Sequence, residues 1–174
     1  ENTTSYWHKS IGGYHAAKLR RYQEMIEEHI STEMNGVFKT VSEAGGDMQK
    51  VAPSGFPVLN MLNTRYFIFP LQGGKTVPIR NPHTLGNAWF VNNEEIDALH
   101  RIDPAKTAVV DKKFSAEVKS AAETDTLSTI KLTVYEPNDL KYEVNSKTGG
   151  TVVFSEIYYP GWQAYIDGVE APHG

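Results

Sequence analysis

The chain has 174 residues, enough for one ordinary domain with a single buried core, and its 40% hydrophobic and 22% charged content is that of a globular protein, not of a disordered or collagen-like one. A formal net charge of -4 with no dense cluster of Lys or Arg argues against a nucleic-acid partner. The lack of cysteine excludes disulfides, thiolate metal sites and cysteine nucleophiles, and no run approaches the roughly 20 apolar residues that span a bilayer.

Residues 1–13 are polar with aromatic insertions and end in Gly12-Gly13, which predicts a lead-in segment packing through Tyr6 and Trp7. The first residue is Glu and not Met, so the chain is expected to be a processed product or a piece of something longer. From Tyr14 onward Leu19, Tyr22, Ile26 and Ile30 recur at helical spacing, which predicts one amphipathic helix over residues 14–34 with that stripe facing a β-rich body. Asn35-Gly36 is its expected C-terminal stop. Lys18, Arg20 and Arg21, followed by Glu24, Glu27 and Glu28, read as a solvated face with i,i+4 ion pairs.

Residues 40–57 collect Gly45, Gly46, Pro53, Gly55 and Pro57 without a period, which predicts a long surface loop. A short helical turn is expected over residues 58–63, then a buried strand at 65–69 with aromatic and β-branched content. Gln72-Gly73-Gly74-Lys75 then serves as a hairpin connection into a strand at 76–80. Residues 87–91 read as a further strand, Asn93 as the N-cap of a short helix ending near Ile102 before Asp103-Pro104, and 107–110 as a strand. In the last third, Ile130, Leu132 and Val134 alternate with polar residues, as do Leu140, Tyr142 and Val144 on the next strand. A strand over 152–159, a break at Pro160-Gly161 and a type I′ signal at Asp167-Gly168 complete what reads as an antiparallel meander. The expected fold is therefore α+β, an N-terminal amphipathic helix and short helices packed on a mainly antiparallel, sandwich-like C-terminal part. One domain is expected over 1–174, helical and loop-rich to 63 and β-rich from 64.

Residues that carry chemistry are few. The six histidines, His8, His15, His29, His83, His100 and His173, show no metal-ligand spacing, and there is no nucleophile elbow, P-loop or dinucleotide-binding glycine pattern, so neither metal nor cofactor is expected. Glu156, Asp139 and Asp167 are the carboxylates of the β-rich region that acid/base work on a glycoside would need. Glu156 draws notice because it lies in an otherwise apolar strand, where an unpaired charge is expensive and a structural salt bridge is the commoner explanation. Tyr158, Tyr159, Trp162 and Tyr165 combine flat faces with polar edges, as a sugar-stacking platform does, although strand aromatics more often fill a core.

The segment SEIYYPGWQAYIDGVEAP, residues 155–172, resembles the E-x-YYPGW-x-A-x-x-DG-x-x-x-P signature of the YfhO-like bacterial membrane protein family. Residues 5–30, and the LNMLNTRYFIF and NPHTLGNAWFV segments within 59–91, resemble its Bacteroidetes branch. The resemblance implies a multi-spanning parent similar to membrane glycosyltransferases of the C superfamily, which use lipid-linked sugar donors. This chain would be its extracytoplasmic, periplasmic domain, with the parent's membrane-embedded part as partner. The catalytic acidic residue of such enzymes lies on a loop that nothing here matches, so no catalytic residue is carried over and the chain alone is not expected to be an enzyme. Family members also usually continue beyond the Asp-Gly hairpin. The expected function is an accessory domain that positions glycan or polymer acceptor, with Glu156, Tyr159 and Trp162 as candidate ligand-binding residues. The alternatives are a structural or protein-interaction domain without ligand and, behind it, a free-standing periplasmic hydrolase.

Overall fold

A computed structural model describes residues 8–12, 19–96, 103–112 and 127–174. The fold is α+β, and the chain divides into two compact units, Glu1–Thr84 and Leu85–Gly174.

The first unit is organised by a helical run of three parts, α1 (Arg20–Met25), a π turn (Ile26–Ile30) and α2 (Ser31–Glu43), which follow one another without a break. Tyr22, Met25 and Ile26 pack against the core and Ile30 enters it, so the apolar stripe sets the buried face. The opposite face carries one of the expected exposed pairs, Arg20 with Glu24 at 2.9 Å, and α2 adds Lys39 with Glu43 at 3.9 Å, each worth at most about 0.5 kcal/mol. Across the π turn the hydroxyl of Ser31, the first residue of α2, donates to the Ile26 carbonyl at 2.7 Å. Leu19 departs from the expected stripe. It precedes the first helical residue and remains 39% exposed. The portion of the expected helix over 14–18, and the expected packing of Tyr6 and Trp7, lie outside the described residues.

The helix does not stop at Asn35-Gly36. Val37 and Val41 continue the stripe into the core, and their burial outweighs the local stop signal. The stop comes at Gly45 and Gly46, both at positive φ, where the Gly46 N–H closes on the Val41 carbonyl at 2.8 Å in the manner of a Schellman cap.

The expected surface loop over 40–57 is likewise overturned. It begins inside α2 and then drives Met48, Val51 and Phe56 into the core through two 3₁₀ turns, Met48–Lys50 and Pro53–Gly55. Asp47 starts the first of these by accepting the Gln49 N–H at 3.0 Å. Apolar residues so irregularly spaced show no period, which is why the segment looks like loop. The expected short helix is present as α3 (Pro57–Met61), followed by β1 (Tyr66–Pro70) and β2 (Thr76–Arg80), antiparallel and joined through Gly73 and Gly74 at positive φ. In β1 only Phe67 is fully buried. A two-stranded ribbon has one covered face, so Tyr66 and Ile68 point outward. Phe67 meets Phe56 edge-on at 5.9 Å, closing a core with Ile30, Val37, Val41, Met48, Val51 and Leu59.

The second unit is built of strand pairs. β3 (Ala88–Val91) buries Trp89 and Val91 and pairs antiparallel with β8 (Thr151–Phe154). The Trp89 indole donates to the Pro104 carbonyl at 2.8 Å. β4 (Asn93–Ile96) pairs in parallel with β5 (Thr107–Val110), so the helix expected from Asn93 is a strand; its expected continuation over 97–102 lies outside the described residues. A ladder partner at β5 supplies the hydrogen bonds that an N-cap signal alone would have had to find within a helix.

β6 (Thr129–Glu136) and β7 (Asp139–Asn145) form the expected hairpin, turned at Pro137-Asn138 and bulged between Leu132 and Val134. The alternation holds through Ile130, Leu132, Val134, Leu140 and Tyr142, but Val144, at the end away from the turn, is exposed. The tail is not a continuous meander. β8 turns away from β7 to pair with β3, whose Trp89 and Val91 are buried. The expected strand over 152–159 ends at Phe154, and residues 155–159 leave the ladder. β9 (Ala164–Ile166) and β10 (Val169–Ala171) then form the last hairpin. Its turn has Asp167 at φ 51° and Gly168 at φ 82°, the positive pair that a type I′ turn requires.

Candidate functional site

The departure of the chain from β8 creates a groove. Beyond Phe154 the chain runs as irregular backbone through Glu156, Ile157 and Tyr159, then reverses at Pro160-Gly161. The reversal is closed by the Trp162 N–H on the Tyr159 carbonyl at 3.1 Å and by a bridge between Pro160 and Trp162. Gly161 sits at φ 124° with open space where a Cβ would be, so conformation and not crowding demands glycine there.

Together with the Pro137-Asn138 turn of the β6–β7 hairpin, this segment encloses an open groove of about 480 Å³, lined by Pro137, Asn138, Glu156, Ile157, Tyr159, Gly161 and Trp162. All three candidate ligand-binding residues, Glu156, Tyr159 and Trp162, therefore line one groove. Pro137, Asn138 and Ile157 carry no local signal that marks them as groove residues. The β6–β7 register puts Pro137 and Asn138 at the hairpin tip, and only tertiary packing brings that tip to the segment after β8.

Glu156 is not a charge buried in an apolar strand. The strand has already ended, the side chain is exposed, and no desolvation cost needs to be offset. Tyr159 is 53% exposed and Trp162 half-buried, so the two rings present surface in place of filling a core. The other two aromatics have separate duties. Tyr158 stands edge-on to His173 with ring centres 6.1 Å apart, and the Tyr165 hydroxyl donates to the Gln163 side-chain oxygen at 3.1 Å. The His173 Nε2 reaches the Trp162 carbonyl at 2.6 Å, which ties the residues after β10 to the groove wall.

Behind the groove, Tyr142 on β7 packs edge-on against Phe154 with ring centres 5.0 Å apart. Burial pushes its hydroxyl pKa up, and the Glu156 carboxylate and then Tyr135 add to the shift. Of the other carboxylates expected for acid/base chemistry, Asp139 is paired with Lys141 at 3.1 Å and Asp167 occupies the hairpin turn. Among the described residues no three His, Asp or Glu side chains come together as a metal site, and no helix is long and apolar enough to cross a membrane.

No protein-family model, curated protein or solved structure matches the chain. Fold and site define an α+β chain whose second unit carries an open groove with aromatic walls and one carboxylate.

Proposed function

We propose that this chain is a saccharide-positioning accessory domain on the extracytoplasmic face of a multi-spanning YfhO-like membrane glycosyltransferase, and that it performs no group transfer itself. The observation that carries the reading is the convergence of Glu156, Tyr159 and Trp162 on one groove. Aromatic faces accept the C–H faces of a pyranose, and the Glu156 carboxylate and the Asn138 side chain supply the polar edges that fix its hydroxyls. The E-x-YYPGW segment that resembles the family signature is the same segment that builds the groove wall. In this reading the parent's membrane-embedded part holds the chemistry and a lipid-linked sugar, and this domain holds the acceptor glycan or polymer.

Calorimetric titration of the full chain with neutral oligosaccharides tests the proposal. Saturable binding that Tyr159→Ala weakens at least several-fold, with unchanged circular dichroism, is the expected result. Absence of binding to any saccharide across a glycan array contradicts it. A second reading, a structural or protein-interaction domain without ligand, is favoured by one observation. Ile166 and Val169, opposite each other across β9 and β10, are 69% and 71% exposed, an apolar pair suited to burial against another protein. Glycan binding at the groove separates the two.

A further inference from the structure

We infer that the saccharide taken by the groove is a cationic amino sugar, and that Glu156 is the residue that selects its charge. The inference rests on the saccharide-positioning reading and adds to it the chemical class of the ligand.

The lining carries a single carboxylate, and among the described residues no Lys, Arg or His lines the groove to balance it. On the adjoining hairpin the Lys141 ammonium is already taken by Asp139 at 3.1 Å, and the His173 ring, held to the Trp162 carbonyl at 2.6 Å, is not among the lining residues. Beside the carboxylate stand the Tyr159 and Trp162 rings, whose negative π faces also attract a cation. An ammonium on a pyranose ring answers all of these features at once. The sugar's C–H face lies on an aromatic ring, the ammonium donates to Glu156, and the remaining hydroxyls reach Asn138 and solvent. A uronate or phosphorylated sugar would bring a second negative charge to Glu156 with nothing to offset it.

Because the groove is open and Glu156 exposed, the selectivity is modest. It is expected to be about twofold to fivefold in affinity at low salt and to shrink as ionic strength rises.

The test is calorimetry on the full chain at mildly acidic pH, where the amines are charged. Its probes are three oligosaccharides of equal length, fully deacetylated chito-oligosaccharide, its N-acetylated counterpart and an oligogalacturonate, with a short oligolysine as a fourth. The expected ranking is deacetylated above acetylated above galacturonate, with oligolysine weaker than the amino sugar. Glu156→Gln should erase the difference between deacetylated and acetylated ligand, whereas Tyr159→Ala should weaken both and keep their ranking. If the saccharides bind without ranking by charge, or if Glu156→Gln keeps the preference, the inference falls and the saccharide reading stands. Oligolysine bound as tightly as the amino sugar also overturns it, since the groove would then read charge alone. If none of the three saccharides binds, the inference falls, and the saccharide reading falls with it when the glycan array is blank as well.

Discussion

The Glu33 carboxylate on α2 accepts the backbone N–H of Leu59 at 2.9 Å, so a side chain 26 residues upstream caps the helix α3. Its other oxygen accepts the Val58 N–H at 3.0 Å. Phe56, the residue at the N-cap position, offers no side-chain bond, and Pro57 has no N–H, so these two amides are the first that need a partner. Glu33 can serve because it lies on the buried stripe of the helix, between Ile30 and Val37.

Glu33→Ala is therefore expected to cost about 1–3 kcal/mol in urea unfolding, with two amides left unpaired. Burial holds the Glu33 carboxyl above its ordinary pKa, while the Val58 and Leu59 amides and His29 pull it down by less. A folded pKa above the unfolded one means that folding favours the protonated form. That contribution is present below the unfolded pKa and is lost as pH rises through the folded pKa. The stability of the wild type relative to Glu33→Gln should then decline across the mildly acidic range as pH is raised; a relative gain would contradict the assignment.

Gly36→Ala should stabilise the protein. Gly36 is an interior helical residue at ordinary φ, and a methyl group there would rest 4.0 Å from Phe56 Cε1, an ordinary contact. The gain expected in urea midpoints is about 0.5–1 kcal/mol, the difference between Ala and Gly in a helix. A loss would show that Phe56 cannot accommodate the methyl group.

The buried Asn60 and Asn81 side chains lock α3 to the end of β2. Asn81 Nδ2 donates to Asn60 Oδ1 at 2.8 Å and to the Thr64 carbonyl at 3.1 Å, while Asn60 Nδ2 donates to the Pro53 carbonyl at 2.8 Å. Removing the donor in Asn81→Ala should cost about 1–3 kcal/mol. Asn81→Asp should cost more at neutral pH, since its carboxylate would face two oxygens. Equal unfolding midpoints for the two variants would refute the donor assignment.

Tyr142→Phe should leave stability unchanged or raise it. The Tyr142 hydroxyl oxygen is enclosed and has no hydrogen-bond partner among the described residues, and its ring contact with Phe154 does not need the hydroxyl. Removing an unpaired buried polar group can return up to about 1–3 kcal/mol. A clear fall in melting temperature would mean that the hydroxyl has a partner, such as an internal water.

What was legible in the sequence is what local chemistry decides. The Asp167-Gly168 turn, the Gly73-Gly74 connection and the alternation of β6 need only neighbouring residues, and each is where its pattern places it. The end of the helix was not legible. Asn35-Gly36 has the composition of a stop, but Val37 and Val41 are buried by segments such as the Met48–Lys50 turn whose positions no local pattern reveals. The pairing of β8 with β3 instead of β7, and the strand in place of a helix at Asn93, likewise follow from partners distant in sequence. The groove was half legible. The side chains of Glu156, Tyr159 and Trp162 announce their chemistry, whereas the Pro137-Asn138 wall depends on tertiary packing of the hairpin tip.

The measurement that bears most directly on the saccharide-binding claim is a ¹H–¹⁵N NMR titration of the chain with chito-oligosaccharide, read at the tryptophan indoles. Trp89, whose indole donates to the Pro104 carbonyl at 2.8 Å, is not among the groove-lining residues and serves as an internal control. Saturable shifts of the Trp162 indole and of the Tyr159 and Gly161 amides, with the Trp89 indole unmoved, are the predicted result. Groove signals that stay in place at millimolar ligand, or shifts confined to residues outside the groove, would contradict it.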